Sequence, residues 1–138
     1  MEQKDYILRE IQKIGAMIRA IGQKLFGGKD NLAISLEQDF LEVKGMLLSE
    51  INFDFDKFMI SNEEDSIQYL QSIDGFNNDN IEELAELLAQ IGSNLKSDLS
   101  KNYFVKALLL YRFINQATKT FSFERETNIK RIENLLHE

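Results

Sequence analysis

Cysteine, proline and tryptophan are absent from this chain of 138 residues, and histidine occurs once. The absence of cysteine excludes disulfides, thiolate nucleophiles and metal sites with sulfur ligands. The absence of proline leaves no residue that fixes φ or interrupts the interior of a helix. Composition therefore favours long helices and excludes several common classes of catalytic and metal site.

The rest of the composition is that of an ordinary globular protein. Hydrophobic residues make up 43% of the chain and charged residues 28%, which is typical of a folded domain. A chain of this length fits one compact domain, so residues 1–138 are predicted to form a single all-helical domain. No early segment has the features of a secretion signal, and basic residues interrupt the first helix too often for a membrane span. A soluble, cytoplasmic protein is expected.

Charge is distributed unevenly along the chain. Residues 1–29 carry a net charge of +3, residues 30–83 carry −12 and residues 84–138 carry +2. Nucleic-acid binding requires a basic surface that contacts phosphates, so the acidic middle segment argues against it. The opposite charges of the segments favour their packing on one another.

An apolar ladder at alternating spacings of four and three is the most regular pattern in the sequence. It consists of Ile7, Ile11, Ile14, Ile18, Ile21 and Leu25. The spacing predicts a long amphipathic helix within residues 1–26, ending at Gly27-Gly28, that buries one stripe. The pattern leaves open whether the stripe faces the rest of the chain, a second copy, a membrane or another protein. Because it covers fewer heptads than a coiled coil requires, we expect an intramolecular bundle.

Caps and apolar periodicity predict further helices along the rest of the chain. In the first half of the chain, one helix runs from a cap at Asp30 or Asn31 to Ile51, a short one ends near Ile60, and another runs from Ser61 to Ile73. In the second half, one helix runs from a cap at Asn80 to Leu95 and the next covers residues 101–120. A capping helix at residues 122–137 begins at Ser122. The run 51–56 alternates like a strand, but it has no partner strand and is interpreted as a turn. The predicted fold is all-α, a bundle of about six helices built from antiparallel hairpins.

Two short motifs and one longer segment resemble known proteins. The opening Asp5-Tyr6-Ile7-Leu8-Arg9 and the later Thr120-Phe121-Ser122-Phe123-Glu124-Arg125 resemble the ends of a family of small, uncharacterised all-helical bacterial proteins. Residues 81–121 are similar to the helical pair of a tetratricopeptide repeat, with Leu84, Leu87, Leu88 and Ile91 on the first helix and Ala107, Tyr111 and Ile114 on the second. The resemblance implies a helical fold and a repeat-like hairpin, and it assigns no activity.

Two segments carry partial signals for catalysis or phosphate binding. His137 stands one residue from the C-terminal end of the sequence, where acid–base or metal chemistry is poorly supported, so it is interpreted as an exposed tail residue. Gly22–Lys29 resembles a phosphate-binding loop, but Gly28 occupies the position of the loop's lysine. Helix termination is therefore the favoured interpretation of this segment.

Residues 74–83 are rich in oxygen ligands and resemble a calcium loop. Phe76 occupies ligand position 3 and Ala85 occupies position 12, where a glutamate is required. A turn with helix caps is therefore favoured over a calcium site.

Two groups of side chains are candidate surfaces. The first is acidic and consists of Asp54, Asp56, Glu63, Glu64 and Asp65. It is interpreted as a solvated face, with a docking patch for a basic partner and paired-carboxylate catalysis as alternatives. The second is aromatic and consists of Tyr103, Phe104, Tyr111, Phe113, Phe121 and Phe123. Its spacing favours core positions, with a groove for an apolar ligand as the alternative.

No set of residues supports a catalytic, cofactor or metal site. We therefore expect a non-enzymatic helical module that binds another protein or a second copy of itself, and the sequence assigns no partner-binding residues. One alternative is association with a membrane surface through the first helix, whose apolar face is accompanied by Lys4, Arg9, Lys13 and Lys24. A third hypothesis is an enzyme that uses carboxylates or tyrosines.

Overall fold

Seven α-helices form the secondary structure of the residues that this computed structural model describes, namely 2–27, 33–95 and 98–137. They are α1 (Glu2–Phe26), α2 (Ala33–Ile51), α3 (Phe55–Ile60), α4 (Glu63–Gln71), α5 (Asn78–Asn94), α6 (Leu99–Thr118) and α7 (Phe123–Leu136). These ranges contain no strand, so the predicted all-α fold is confirmed. The cap predicted at Asp30 or Asn31 lies outside the described residues.

The chain divides into two compact units. The N-terminal unit, Met1–Phe76, contains α1 to α4, and the C-terminal unit, Asn77–Glu138, contains α5 to α7. Each unit has buried apolar side chains of its own. That the whole chain behaves as a single domain stays a prediction.

Helix α1 contributes most of its apolar ladder to the core. The side chains of Ile14, Ile18, Ile21 and Leu25 are buried within the protein, each at most 4% exposed. The first residue of the ladder, Ile7, is 37% exposed. Helix α1 packs against α2, and a salt bridge of 3.3 Å joins Lys24 Nζ to Glu42 Oε2 between them. Most of the stripe is therefore covered inside the chain, as an intramolecular bundle requires.

A left-handed residue ends α2 and redirects the chain into α3. Asn52 has φ 55°, and its N–H bonds the carbonyl oxygen of Leu48 at 3.1 Å, which is a common way to end a helix. The strand-like run 51–56 is thus a turn followed by a short helix, as predicted. Its alternation reflects burial, because Phe53 and Phe55 are buried while the acidic residues between and after them are exposed.

An aromatic cluster fills the core of the N-terminal unit around Phe53, which is 1% exposed. The ring centroids of four neighbours lie 5.5 to 6.2 Å from that of Phe53, and these are Phe55, Phe58, Tyr69 and Phe76. Such ring pairs contribute about 0.5–1.5 kcal/mol each beyond the burial of their area. The cluster joins the end of α2 to α3, α4 and the segment after α4.

The C-terminal unit is built from two successive antiparallel hairpins. Near the α5–α6 connection, a Cβ added to Gly92 would lie 3.1 Å from the ring of Phe104, so the two helices approach closely there. At the other end of the hairpin, the α7 side chain of Arg125 bonds both Glu82 of α5 and Asn115 of α6. Helix α7 then returns along α6.

The helix caps agree with the sequence in type, but two differ in position. Ser122 caps α7 as predicted, its Oγ accepting a backbone N–H of the first turn at 3.2 Å. The cap of α4 is Asn62 rather than Ser61, and the cap of α5 is Asn77 rather than Asn80. Neighbouring Ser and Asn side chains can all accept this bond, so the sequence alone does not determine which residue leaves the helical conformation.

Helix α6 packs against both α5 and α7. Its buried residues are Phe104, Lys106, Ala107, Leu108, Leu110, Tyr111 and Ile114. The helix predicted over 101–120 is present as Leu99–Thr118, and one face of it is exposed, including Val105. Among the described residues, no helix combines the length and the apolar character that a membrane crossing requires.

Candidate partner-binding surface

The connection between α6 and α7 forms a short aromatic loop, residues 119–123. Helix α6 ends at Lys119, which takes the left-handed conformation with φ 53°, and its N–H bonds the carbonyl oxygen of Asn115 at 3.0 Å. Ser122 is extended, with φ −130° and ψ 119°. Phe121 and Phe123 stand on either side of Ser122, and Phe123 is the first residue of α7.

Both phenylalanines of the aromatic loop are exposed to solvent. The exposed fraction is 78% for Phe121 and 79% for Phe123. The prediction that these two residues belong to the core is wrong. A helical spacing continued through residue 123 would bury them, but the chain leaves the helix at Lys119, so neither lies on the buried face of α6. An exposed pair of aromatic side chains is a common feature of protein-binding surfaces.

The buried side chain of Arg125 supports the aromatic loop through hydrogen bonds. Its side chain is 7% exposed and makes a two-pronged contact with Glu82, with Nε 3.0 Å from Oε2 and Nη2 3.1 Å from Oε1. Its Nη1 donates to Asn115 Oδ1 at 2.8 Å and to the carbonyl oxygen of Thr120 at 3.3 Å. One guanidinium thus ties α5, the end of α6 and the loop backbone to the start of α7. This planar, multidentate use of arginine fixes geometry as well as charge.

Two hydroxyl groups add to this support. The Oγ1 atoms of Thr118 and Thr120 lie 2.7 Å apart, and the N–H of Thr120 bonds Thr118 Oγ1 at 3.4 Å. Together with the Ser122 cap, these bonds satisfy polar groups on both sides of Phe121. The loop backbone is thus held on both sides of Phe121 by hydrogen bonds within the protein.

The side of the loop next to α5 is acidic. Burial raises the pKa of the Glu86 carboxyl, and the negative charges of Glu124, Glu82 and Glu83 raise it further. Glu124 directly follows Phe123 in α7. Glu86 and Glu124 place negative charge close together here, whereas Glu82 is already paired with Arg125. The aromatic pair therefore has an anionic border on one side.

The other four aromatic residues of the predicted group are distributed through the hairpin. Phe104 and Tyr111 are buried, as predicted, while Tyr103 and Phe113 are partly buried. Asn128 Nδ2 donates to the Tyr111 hydroxyl at 3.3 Å. Burial raises the pKa of Tyr111, with further contributions from Glu86 and Glu82. This tyrosine is therefore neutral and structural at physiological pH.

The five carboxylates of the predicted acidic group do not form one site. Asp54 caps α3 by accepting the N–H of Lys57 at 3.1 Å, and Asp56 pairs with Lys44 at 2.9 Å. The other three are exposed in the first turn of α4, where negative charge stabilises the helix N-terminus. Their placement matches the predicted solvated face.

The described residues considered for metal, phosphate or calcium binding lie at or near helix ends. His137 is exposed and lies at the end of α7. Helix α1 ends at Phe26 before Gly27, and Asn77 caps α5 within the calcium-like segment. Across the described ranges, no group of three or more His, Asp or Glu side chains is arranged to hold a metal ion.

Sequence reasoning did not identify the aromatic loop as a surface. The available signal was the spacing of Phe121 and Phe123 by two residues around a helix-capping serine. Comparisons with known proteins add no assignment: the chain matches no known family, and no similar curated protein or solved structure is found. The geometry of the loop is therefore the basis for a functional proposal.

Proposed function

We propose that this protein is a non-enzymatic helical module that binds another protein through its aromatic loop. The observation that carries the proposal is the exposure of Phe121 and Phe123 on a loop braced by a buried arginine. Burying a phenylalanine in a partner contributes about 1.5–3 kcal/mol. Two such residues reach the energies of binding hot spots.

The acidic border of the loop favours a particular kind of partner. A cavity or groove that accepts two aromatic rings, with a basic group facing Glu86 and Glu124, would complement both features. A second copy of the chain is a less suitable partner, since the net charge of −7 makes copies repel. We therefore favour a heterologous partner.

The proposal extends to relationship and location. We infer that α5 and α6 correspond to the helical pair of a tetratricopeptide-type repeat, and that the chain is related to the small bacterial proteins whose ends it resembles. We also propose that the protein acts in the cytoplasm. The membrane alternative has no observation in its favour, because four residues of the α1 ladder are buried. The enzymatic alternative likewise lacks a convergent set of groups among the residues described.

Affinity capture from extracts of the source cells tests the proposal. Immobilised wild-type chain should retain a defined protein, and the double variant Phe121→Ser/Phe123→Ser should retain at least tenfold less, as expected for the loss of about 1.4 kcal/mol or more. The matched control is Leu41→Ser/Ile60→Ser. It also removes two exposed apolar side chains, at 70% and 86% exposure, from the N-terminal unit.

The control should capture as much partner as the wild type. Sedimentation velocity of the purified chain, run in parallel, should give a monomer for all three proteins. Equal capture by the two double variants, or no capture by the wild type, would refute the proposal.

A further inference from the structure

A cleft in the N-terminal unit has the size of a small-ligand site. It has a volume of about 660 Å³ and lies where α1, the end of α2, the start of α3 and the end of α4 meet. Ligand sites commonly fall in the range of about 300–1,000 Å³. The described residues that line it lie between Tyr6 and Asp74, so the cleft belongs to one unit.

The lining of this cleft is strongly anionic. Carboxylates come from four different segments, and they are Glu10, Glu50, Asp54 and Asp74. One lysine, Lys57, is the only cation among the lining residues, so the described lining carries a net charge of −3. A concave surface with charge of one sign concentrates ligands of the opposite sign.

A cation already occupies an aromatic face in the cleft. The ring of Tyr69 stacks on Phe53, with centroids 5.7 Å apart and an angle of 26° between the planes. Tyr69 also lines the cleft, and Lys57 Nζ lies over its ring, 5.0 Å from the centroid. The Tyr69 hydroxyl accepts the N–H of Asp54 at 2.7 Å, which fixes the ring in place. The ring face of Tyr69 is thus a cation–π site, called the seat here, and the Lys57 ammonium occupies it.

A second tyrosine that lines the cleft, Tyr6, lies in a region of negative potential. The pKa of Tyr6 is raised, chiefly by the charge of Glu10 and then by that of Asp74, with burial and a hydrogen bond to Asp74 adding to the effect. Carboxylates contributed by α1 and by the segment after α4 therefore act on the same space. An ammonium placed there would be stabilised by both.

We propose that this cleft binds an alkylammonium group, from a polyamine or from the lysine side chain of a peptide, and that Lys57 occupies the seat until the ligand displaces it. The bound ammonium lies over Tyr69 and pairs with the cleft carboxylates, while Lys57, which is exposed, swings into solvent. The site is separate from the aromatic loop and does not depend on the function proposed for that loop.

The direct test uses spermidine as the probe and the full chain, with affinity measured by isothermal titration calorimetry. Lys57→Ala should raise the affinity by about three- to tenfold, because it empties the ring face and removes a repelling charge. The matched control is Lys44→Ala. Lys44 also lies over a ring, 5.2 Å from the centroid of Phe40, and pairs with Asp56, but it does not line the cleft.

Loss of cleft charge should have the opposite effect. Glu10→Gln/Asp74→Asn should weaken spermidine binding at least fivefold, and circular dichroism should show that the variant is folded. Titration with a short peptide that contains one lysine distinguishes a polyamine ligand from a peptide ligand. The proposal is supported if either ligand binds and Lys57→Ala increases its affinity. The proposal would be overturned if Lys57→Ala and Lys44→Ala raised the affinity for spermidine equally. It would also be overturned if magnesium, added at the same concentration of positive charge, displaced all of the spermidine. Either result would show that the cleft carboxylates bind counterions without a specific site.

Discussion

At the residue scale, one buried arginine determines the shape of the aromatic loop. Arg125 joins Glu82, Asn115 and the Thr120 carbonyl through bonds of 2.8 to 3.3 Å. If it is removed, Glu82 loses a charge partner in a site where its side chain is only 24% exposed. A carboxylate left unpaired in such a site costs more free energy than the salt bridge contributed.

Arg125→Met should therefore lower the free energy of unfolding by about 2–3 kcal/mol. Urea denaturation followed by circular dichroism measures this change. The double variant Arg125→Met/Glu82→Gln should recover part of the loss, because it removes the unpaired charge. The matched control is Arg112→Met, which breaks the more exposed 2.9 Å bridge to Glu133 and should cost less than about 1 kcal/mol. Equal losses for Arg125→Met and Arg112→Met would contradict this role of Arg125.

Replacing glycine by alanine should change the free energy of unfolding in opposite directions at Gly75 and Gly45. Gly75 has φ +89°, and a Cβ there would lie 2.5 Å from the backbone carbon of Glu10 in α1. Gly45 lies within α2, and a Cβ there would have no neighbour within 4 Å. Gly75→Ala should lower the free energy of unfolding by about 2–4 kcal/mol, and Gly45→Ala should raise it by about 0.5–1 kcal/mol. Thermal or urea unfolding of both variants checks the pair, and the same sign for both would contradict the packing of α1 on the turn after α4.

At the element scale, the ladder of α1 shows both the strength and the limit of sequence patterns. The spacing correctly predicted a long amphipathic helix, because the period of an α-helix is fixed by its backbone. It did not predict where burial begins: Ile7 is exposed and Ile14 is fully buried. That boundary depends on how far the neighbouring helices extend, which is a property of the packed structure.

Ile14→Asp should unfold the N-terminal unit, because it places a carboxylate at a position that is 0% exposed. Helical circular dichroism should fall by a large fraction, with no change for Ile7→Asp at the more exposed position. If Ile14→Asp instead keeps its helicity and merely reduces the sedimentation mass, the stripe forms a coiled coil between copies.

The candidate surface was harder to predict than the helices. Phe104 and Tyr111 follow the buried face of α6, and the sequence assigned them correctly to the core. Phe121 and Phe123 lie after the left-handed turn at Lys119, where helical spacing no longer determines the direction of a side chain. Apolar residues at a junction between helices belong to no face, so their exposure follows only from the folded loop.

At the scale of the whole molecule, the chain divides into two compact units, and each has buried apolar side chains of its own. The N-terminal unit is organised around Phe53 and the C-terminal unit around α6. The sequence gives no linker rich in glycine or proline that would mark this division. Whether the two units unfold together is a question of cooperativity that exchange measurements address.

Phe53→Ala should destabilise the N-terminal unit by about 3–5 kcal/mol through the loss of a central ring. We expect hydrogen exchange, followed by mass spectrometry, to increase within residues 2–76 and to stay unchanged in α5, α6 and α7. Increased exchange throughout the chain would instead support the prediction of one cooperative domain.

Site-specific photo-crosslinking tests the partner-binding role of the aromatic loop most directly. A benzoylphenylalanine placed at position 121 in the source cells keeps an aromatic ring where Phe121 is exposed, and the same group at position 60 replaces Ile60, which is 86% exposed. The proposal predicts a discrete crosslinked species of higher mass from position 121 and none from position 60. Absence of a product from position 121, or the same products from both positions, would contradict it.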